Sequence, residues 1–197
     1  MHIVDHYLAG LRQALPPVPL ARLAGASGAS ASQLHSLLQA FPDCPASLLD
    51  LLSQINGTHW DDDDDGGTAV LVLGADAAMG SYPYFLRSVE QILEDRQLYP
   101  DSIVEIYGDP PGDDDVVLDS RIDARASGSE RLCFAHCMNN GGTSMLYLDF
   151  APAAGGVIGQ VIRFLHDPDE YRVIAAGFDD YLQLQIQQEY VFVDPDQ

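Results

Sequence analysis

The spacing of apolar residues changes twice along this chain, and that change restricts the fold more than any motif does. Up to residue 57 the apolar residues recur at helical spacing. Val4, Leu8, Leu11 and Leu15 make one stripe over residues 2–15. Leu34, Leu37, Leu38 and Phe41 make a second, and Leu48, Leu49, Leu52 and Ile55 a third. "PPVP" at 16–19 ends the first helix. The small-residue linker "GASGASAS" (25–32) leads into the second, whose start carries a capping box of Ser30 and Gln33. Gly57 stands where a glycine cap would close the third.

Beyond residue 67 the period becomes strand-like. "TAVLVL" (68–73), "YPYFL" (82–86) and "SIVEIYG" (102–108) read as short strands, with a helical "SVEQILEDRQLY" (88–99) among them and a loop at "GDPPGDDD" (108–115). "SMLYLDF" alternates most clearly: Leu146, Leu148 and Phe150 share one face, and Met145, Tyr147 and Asp149 the other. Turns at "APAAGG" and "HDPDE" join it to "VIGQVIRFL" and "YRVIAA", making an antiparallel meander. The helical period then returns in "FDDYLQLQIQQEY", with Phe178, Leu182 and Ile186 inward. Helices, then strands, then a helix predict an α+β fold: one domain with a mainly antiparallel sheet flanked by helices. The expected organisation is an N-terminal helix and Pro-rich linker over 1–24, the α+β domain over 25–190, and a tail over 191–197. With 197 residues, 47% of them hydrophobic, the chain is long enough for one sizeable core.

Charge restricts function. The net charge is −21, and all nine basic residues are arginine. Without lysine there is no P-loop phosphate lysine and no Schiff base. So negative a field repels nucleic acid and anionic membrane and attracts a basic protein. Solubility alone is the plainer reason for such acidity. No apolar run reaches the length of a membrane span, and the N-terminus has neither a basic leader nor a long apolar stretch, so a cytoplasmic location is expected. The three cysteines, Cys44, Cys133 and Cys137, are too few and too odd in number for a disulfide framework. In a regular strand Cys133 and Cys137 share a face and His136 points away, so the three do not converge on zinc and read as structural.

The most conspicuous local feature is "THWDDDDDGG", residues 58–67. Asp61, Asp63, Asp65 and Gly66 match the opening of a calcium loop, but its twelfth position, which needs a bidentate carboxylate, is Val72. Two readings remain open. The run is a solvated connection, or it is a contact surface that complements a partner's arginines and lysines and speeds encounter. Trp60 is then an aromatic anchor beside it, or else a core residue. Asp113, Asp114 and Asp115 offer a second acidic loop. The candidate partner-binding residues are therefore Trp60, Asp61, Asp62, Asp63, Asp64, Asp65, Asp113, Asp114 and Asp115. Enzyme motifs are missing: no H-E-x-x-H, no G-x-S-x-G, and glycine clusters at 141–142 and 155–159 that do not join a strand to a helix. Asp149 and Asp167 would make an acid and base pair only by the accident of 30 acidic residues. No catalytic residue, metal or cofactor is expected.

Four stretches resemble the SUKH superfamily, in the group named after a fungal cell-wall-assembly regulator. "GASASQLHSLLQAFPDCPASLLDLLSQINGT" is similar to its opening, and "YPYFLRSVEQILED" to its aromatic-Leu-Ser-x-Glu-x-Ile segment. "DSRIDARASGSERLCFAHCMNNGGTSMLYLDFAP" resembles its Ile, Trp-x-Pro, Gly-Gly, Leu-Asp run. "GGVIGQVIRFLHDPDEYRVIAAGFDDYLQLQ" resembles its Gly-Gln-Val-Ile strand, His-Asp turn and Phe-x-x-Tyr-Leu helix. The resemblance covers residues 25 to 186. It departs at Phe134, Ala135 and His136, where the family has Trp-x-Pro, and at Gly177, where it has Ser. The resemblance implies an α+β fold without enzymatic activity. Bacterial members look like immunity proteins that neutralise a cognate toxin, often a nuclease with a basic surface. Fungal members look like regulatory scaffolds. The partner expected is thus a toxin domain with a basic surface, bound by occlusion; a scaffold for endogenous partners and a small-molecule-binding or hydrolytic domain are the alternatives. Asp149, Gly159, Gln160 and Val161 match family motifs and read as structural.

Overall fold

The computed structural model describes residues 2–59, 69–77, 80–112, 116–137, 144–166 and 168–193. Each N-terminal apolar stripe becomes a helix: α1 (Ile3–Ala14), α3 (Ala31–Ala40) and α4 (Ala46–Gln54). The Ser30–Gln33 capping box opens α3, each side chain bonding the other's backbone N–H. The prolines do more than end α1. Pro16 caps and Pro17 starts a further short helix, α2 (Pro17–Leu23). Proline is favourable in a first turn, where its missing N–H has no partner to lose, so one motif stops a helix and begins the next.

Two of the expected strands are placed differently. "SIVEIYG" is a helix, α6 (Ile103–Tyr107), because Ser102 and Glu105 form a capping box that fixes the chain in a helical turn. The strand expected at 68–73 is displaced: β1 is Leu73–Ala77, paired with β2 (Gly80–Leu86). Upstream, the Val70 N–H donates to the Thr58 carbonyl instead of to β2. Gly57 lies two residues beyond the α4 cap, Ile55, and adopts φ +86°. It brings the chain against Ser88, the N-cap of α5 (Val89–Leu98).

The meander stands where alternation put it: β5 (Ser144–Asp149), β6 (Gln160–Leu165) and β7 (Glu170–Ala175), followed by α7 (Phe178–Gln187). With β4 (Arg131–Cys137) and a two-residue β3 (Val117–Leu118), the sheet order is β1-β2-β4-β5-β6-β7-β3. Every pairing is antiparallel except β3 with β7. The α+β, mainly antiparallel architecture predicted above is therefore the one observed.

The sheet separates two cores. On one face Leu132, Phe134, Leu146, Leu148 and Val161 meet apolar residues of α1, α3, α4 and α7. Val4, Tyr7, Leu8 and Leu11 of α1 are fully buried there, and the Tyr7 hydroxyl donates to the Val72 carbonyl at 2.5 Å. At the other end of the chain the Tyr190 ring packs at a tilt against Tyr7, centroids 5.5 Å apart, and Phe192 is buried against Gly74. The opposite face carries a smaller cluster: Ile162, Phe164, Tyr171 and Val173 beneath Ile103, Val116 and Ile122.

Candidate partner-binding surface

All nine residues singled out from sequence, Trp60 to Asp65 and Asp113 to Asp115, lie outside the described residues. The hydrogen bond from Val70 N–H to the Thr58 carbonyl, 3.2 Å, brackets the first acidic run, and one from Val116 N–H to the Gly112 carbonyl, 3.3 Å, brackets the second.

The described surface has a one-sided use of charge. Among the described residues six arginines are held by carboxylates: Arg87 by Asp95, Arg121 by Asp119, Arg125 by Asp109, Arg131 by Asp149, and both Arg163 and Arg172 by Glu170. Arg121 holds the Asp119 carboxyl down to about 2, and Arg125 lowers Asp109. With most cations spent on internal partners, the surplus facing solvent is anionic. It includes Asp5, Asp43, Glu94, Asp101, Asp179 and Asp180, all exposed.

Between α5, α6 and the second face of the sheet lies a cleft of about 270 Å³. Its floor is Cys133, Met145, Tyr147 and Phe164, and Tyr99, Asp101 and Ile106 stand at its mouth. A bulge in β4 shapes it. The register slips between Cys133 and Ala135, so Phe134 and Ala135 both enter the helix-side core while Cys133 and His136 both line the cleft. This corrects the facing expected from a regular strand. Cys133 shares its face with His136, and Cys137 joins the opposite core. The two thiols are thus divided by the sheet. Among the described residues no three His, Cys, Asp or Glu side chains are grouped to hold a metal.

The polar groups of the cleft are mostly satisfied. Arg87 donates twice to Asp95, at 3.0 and 2.5 Å. The Arg131 Nη2 donates to the Asp123 carbonyl at 2.6 Å while its Nε lies 3.8 Å from Asp149. The Tyr147 hydroxyl donates to the Met145 sulfur at 2.7 Å, and the Tyr107 hydroxyl donates to Asp169. Burial raises the Cys133 thiol and the Tyr147 hydroxyl, so neither is an activated nucleophile. Burial, with Arg87 and His59 near, lowers His136 to about 4 and keeps it neutral; its Nδ1 makes no hydrogen bond among the described residues.

The family-motif residues form a buried tie at the sheet's end. Asp149 is fully buried; it accepts from Gln160 Nε2 at 2.9 Å and from the Ala151 N–H at 3.2 Å. Gln160 also donates to the Arg121 carbonyl and accepts from the Val157 N–H. Gly159, at φ +83°, makes the turn before β6, a backbone region in which a side chain is strained. Asp149 is therefore committed to a structural network; Asp167, its supposed catalytic partner, lies outside the described residues.

The cleft residues escaped the sequence reading for two reasons. Taking α6 as a strand removed its roof, and nothing in "RLCFAHC" announces the bulge. The Ser102-x-x-Glu105 pattern was the available signal for the first. No helix among the described residues is long and apolar enough to cross a membrane. Comparison with individually curated proteins finds none that matches. The SMI1 / KNR4 family model (SUKH-1) matches residues 28–184, from the linker before α3 almost to the end of α7. On that match, which covers both faces of the sheet and the Asp149–Gln160 tie, the chain belongs to the SMI1 / KNR4 family (SUKH-1).

Proposed function

We propose that the protein is a cytoplasmic immunity-type module that binds a cognate bacterial toxin domain with a basic surface and neutralises it by occlusion, with no bond made or broken. What carries the reading is the disposition of charge: arginines turned to internal carboxylates, and a surplus that leaves the chain at −21. A field of that sign steers a basic partner into encounter and disfavours acidic competitors. The raised thiol and tyrosine groups and the satisfied polar pairs of the cleft support a binding surface over a reactive one.

The test is to sequence the genes adjacent to its own and co-express the protein with a toxin domain found there. The expected result is restored growth, and a purified complex whose association rate falls steeply with added salt. Replacing Asp61 to Asp65 with Asn should slow association about tenfold at low salt and flatten the salt dependence. A toxin that kills equally with and without this protein ends the proposal; association rates unchanged across salt remove the aspartate run from it.

A further inference from the structure

The cleft under α6 has a chemical character that names its occupant. Its floor is aromatic and soft: Tyr147, Phe164 and Tyr171, with Met145 and Cys133. The rings are packed against one another, Phe164 to Tyr171 at 4.6 Å and Tyr107 to Tyr171 at 6.5 Å. The tyrosine hydroxyls at positions 107 and 147 point to internal acceptors, so the rings are what they present. Arg87 and Arg131, the cations of the lining, are neutralised by Asp95 and Asp149. His136 Nδ1 and Arg131 Nε are the lining atoms without a hydrogen bond among the described residues; from the pairs already bonded a polar ligand would gain little, whereas an apolar one gains by leaving water.

The mouth is different. Tyr99 and Ile106, exposed at 64% and 56%, extend the apolar surface outward beside Leu98 at 60%. Asp101 is exposed there and enters no ion pair among the described residues. Glu105 is near it in the chain; its hydrogen bonds with Ser102 hold its carboxyl below the usual range, in the charged form. An aromatic pocket with an exposed carboxylate, Asp101, at its rim matches the anatomy of an interface hot spot: a large ring enters the pocket and a charged neighbour pairs at the rim.

We propose that this cleft is the docking point for the protein partner, receiving one aromatic side chain from a partner loop whose next residue is basic and meets Asp101. This rests on the reading of the protein as a binder of a basic partner and adds where, and by what side chains, it binds.

The probes are two capped dipeptides, acetyl-Trp-Arg-amide and acetyl-Trp-Glu-amide, titrated into the ¹⁵N-labelled full chain. The arginine peptide is expected to shift the amides of Cys133, Tyr147 and Tyr171 saturably, and to bind about two- to fivefold tighter than the glutamate peptide. Asp101→Asn should abolish that preference without altering the melting curve. Shifts located elsewhere, or equal binding of the two peptides, overturn the proposal. Met145→Trp, which fills the floor, should abolish both titrations and weaken binding of the toxin at least tenfold. Should that variant not fold, Asp101→Asn on the exposed rim carries the test, with the toxin dissociating about two- to fivefold faster. A folded Met145→Trp protein that still neutralises the toxin overturns the docking point and leaves the immunity reading intact. Dipeptides bound in the cleft while no toxin is neutralised do the reverse.

Discussion

Asp149→Asn removes one charge from a fully buried tie, and its cost follows from the geometry. Asp149 lies 3.8 Å from Arg131 Nε, and their exposures are 0% and 4% of the side chain. At an effective dielectric near 20 the gross attraction is about 4 kcal/mol, offset in part by desolvation of both groups. Taking away one partner strands the other, and such deletions cost about 3–5 kcal/mol. Asparagine keeps the shape and the Ala151 contact, but it sets an amide nitrogen against Gln160 Nε2, whose own oxygen is already engaged by Val157. The expected loss is therefore about 3 kcal/mol, or a fall in Tm of about 6–12 °C for a chain of this size. Urea unfolding of the single variant and of Asp149→Asn combined with Arg131→Met measures it. The double variant leaves no stranded cation and should recover at least about 1.5 kcal/mol relative to the sum of the singles. A single variant within about 1 kcal/mol of the parent, or a double equal to the sum, would falsify the account of this tie.

Gly57→Ala should destabilise by about 1–3 kcal/mol, because φ +86° is strained for a side chain and the new Cβ would lie 2.7 Å from the Ser88 backbone nitrogen; chemical denaturation reads it. Removing residues 1–15 deletes Val4, Tyr7, Leu8 and Leu11 from the core, about 6–12 kcal/mol of burial, which approaches the whole stability of a domain. Loss of the cooperative transition is expected, and a truncated chain that melts like the parent would show α1 to be dispensable. His136 titrates at about 4 when folded, below its ordinary 6.5. The unfolded chain binds that proton first, so stability falls as pH drops from about 6.5 to 4 and His136 contributes no further slope below. His136→Gln should flatten that stretch; Asp119, lowered to about 2, adds a separate loss from 3.8 downward.

Local chemistry determined much of this protein from sequence alone. Apolar period placed α1, α3, α4, α5, α7 and the β5–β7 meander, because each helix turns one stripe to the core and each strand sends alternate residues to the two faces of the sheet, so the residues must repeat with the element's geometry. The capping box at Ser30 and the charge of −21 were legible for the same reason, being properties of neighbours in the chain or of simple sums. What required the tertiary structure was everything set by a competitor distant in sequence. The Thr58 carbonyl drew Val70 out of the ladder and moved β1. The bulge in β4 was registered only against β5, and it turned His136 toward Cys133. The cleft exists because α6, a helix of five residues, lies over tyrosines from strands forty and more positions away. A pocket is a coincidence of separate segments, and no window of sequence contains the contacts that make one.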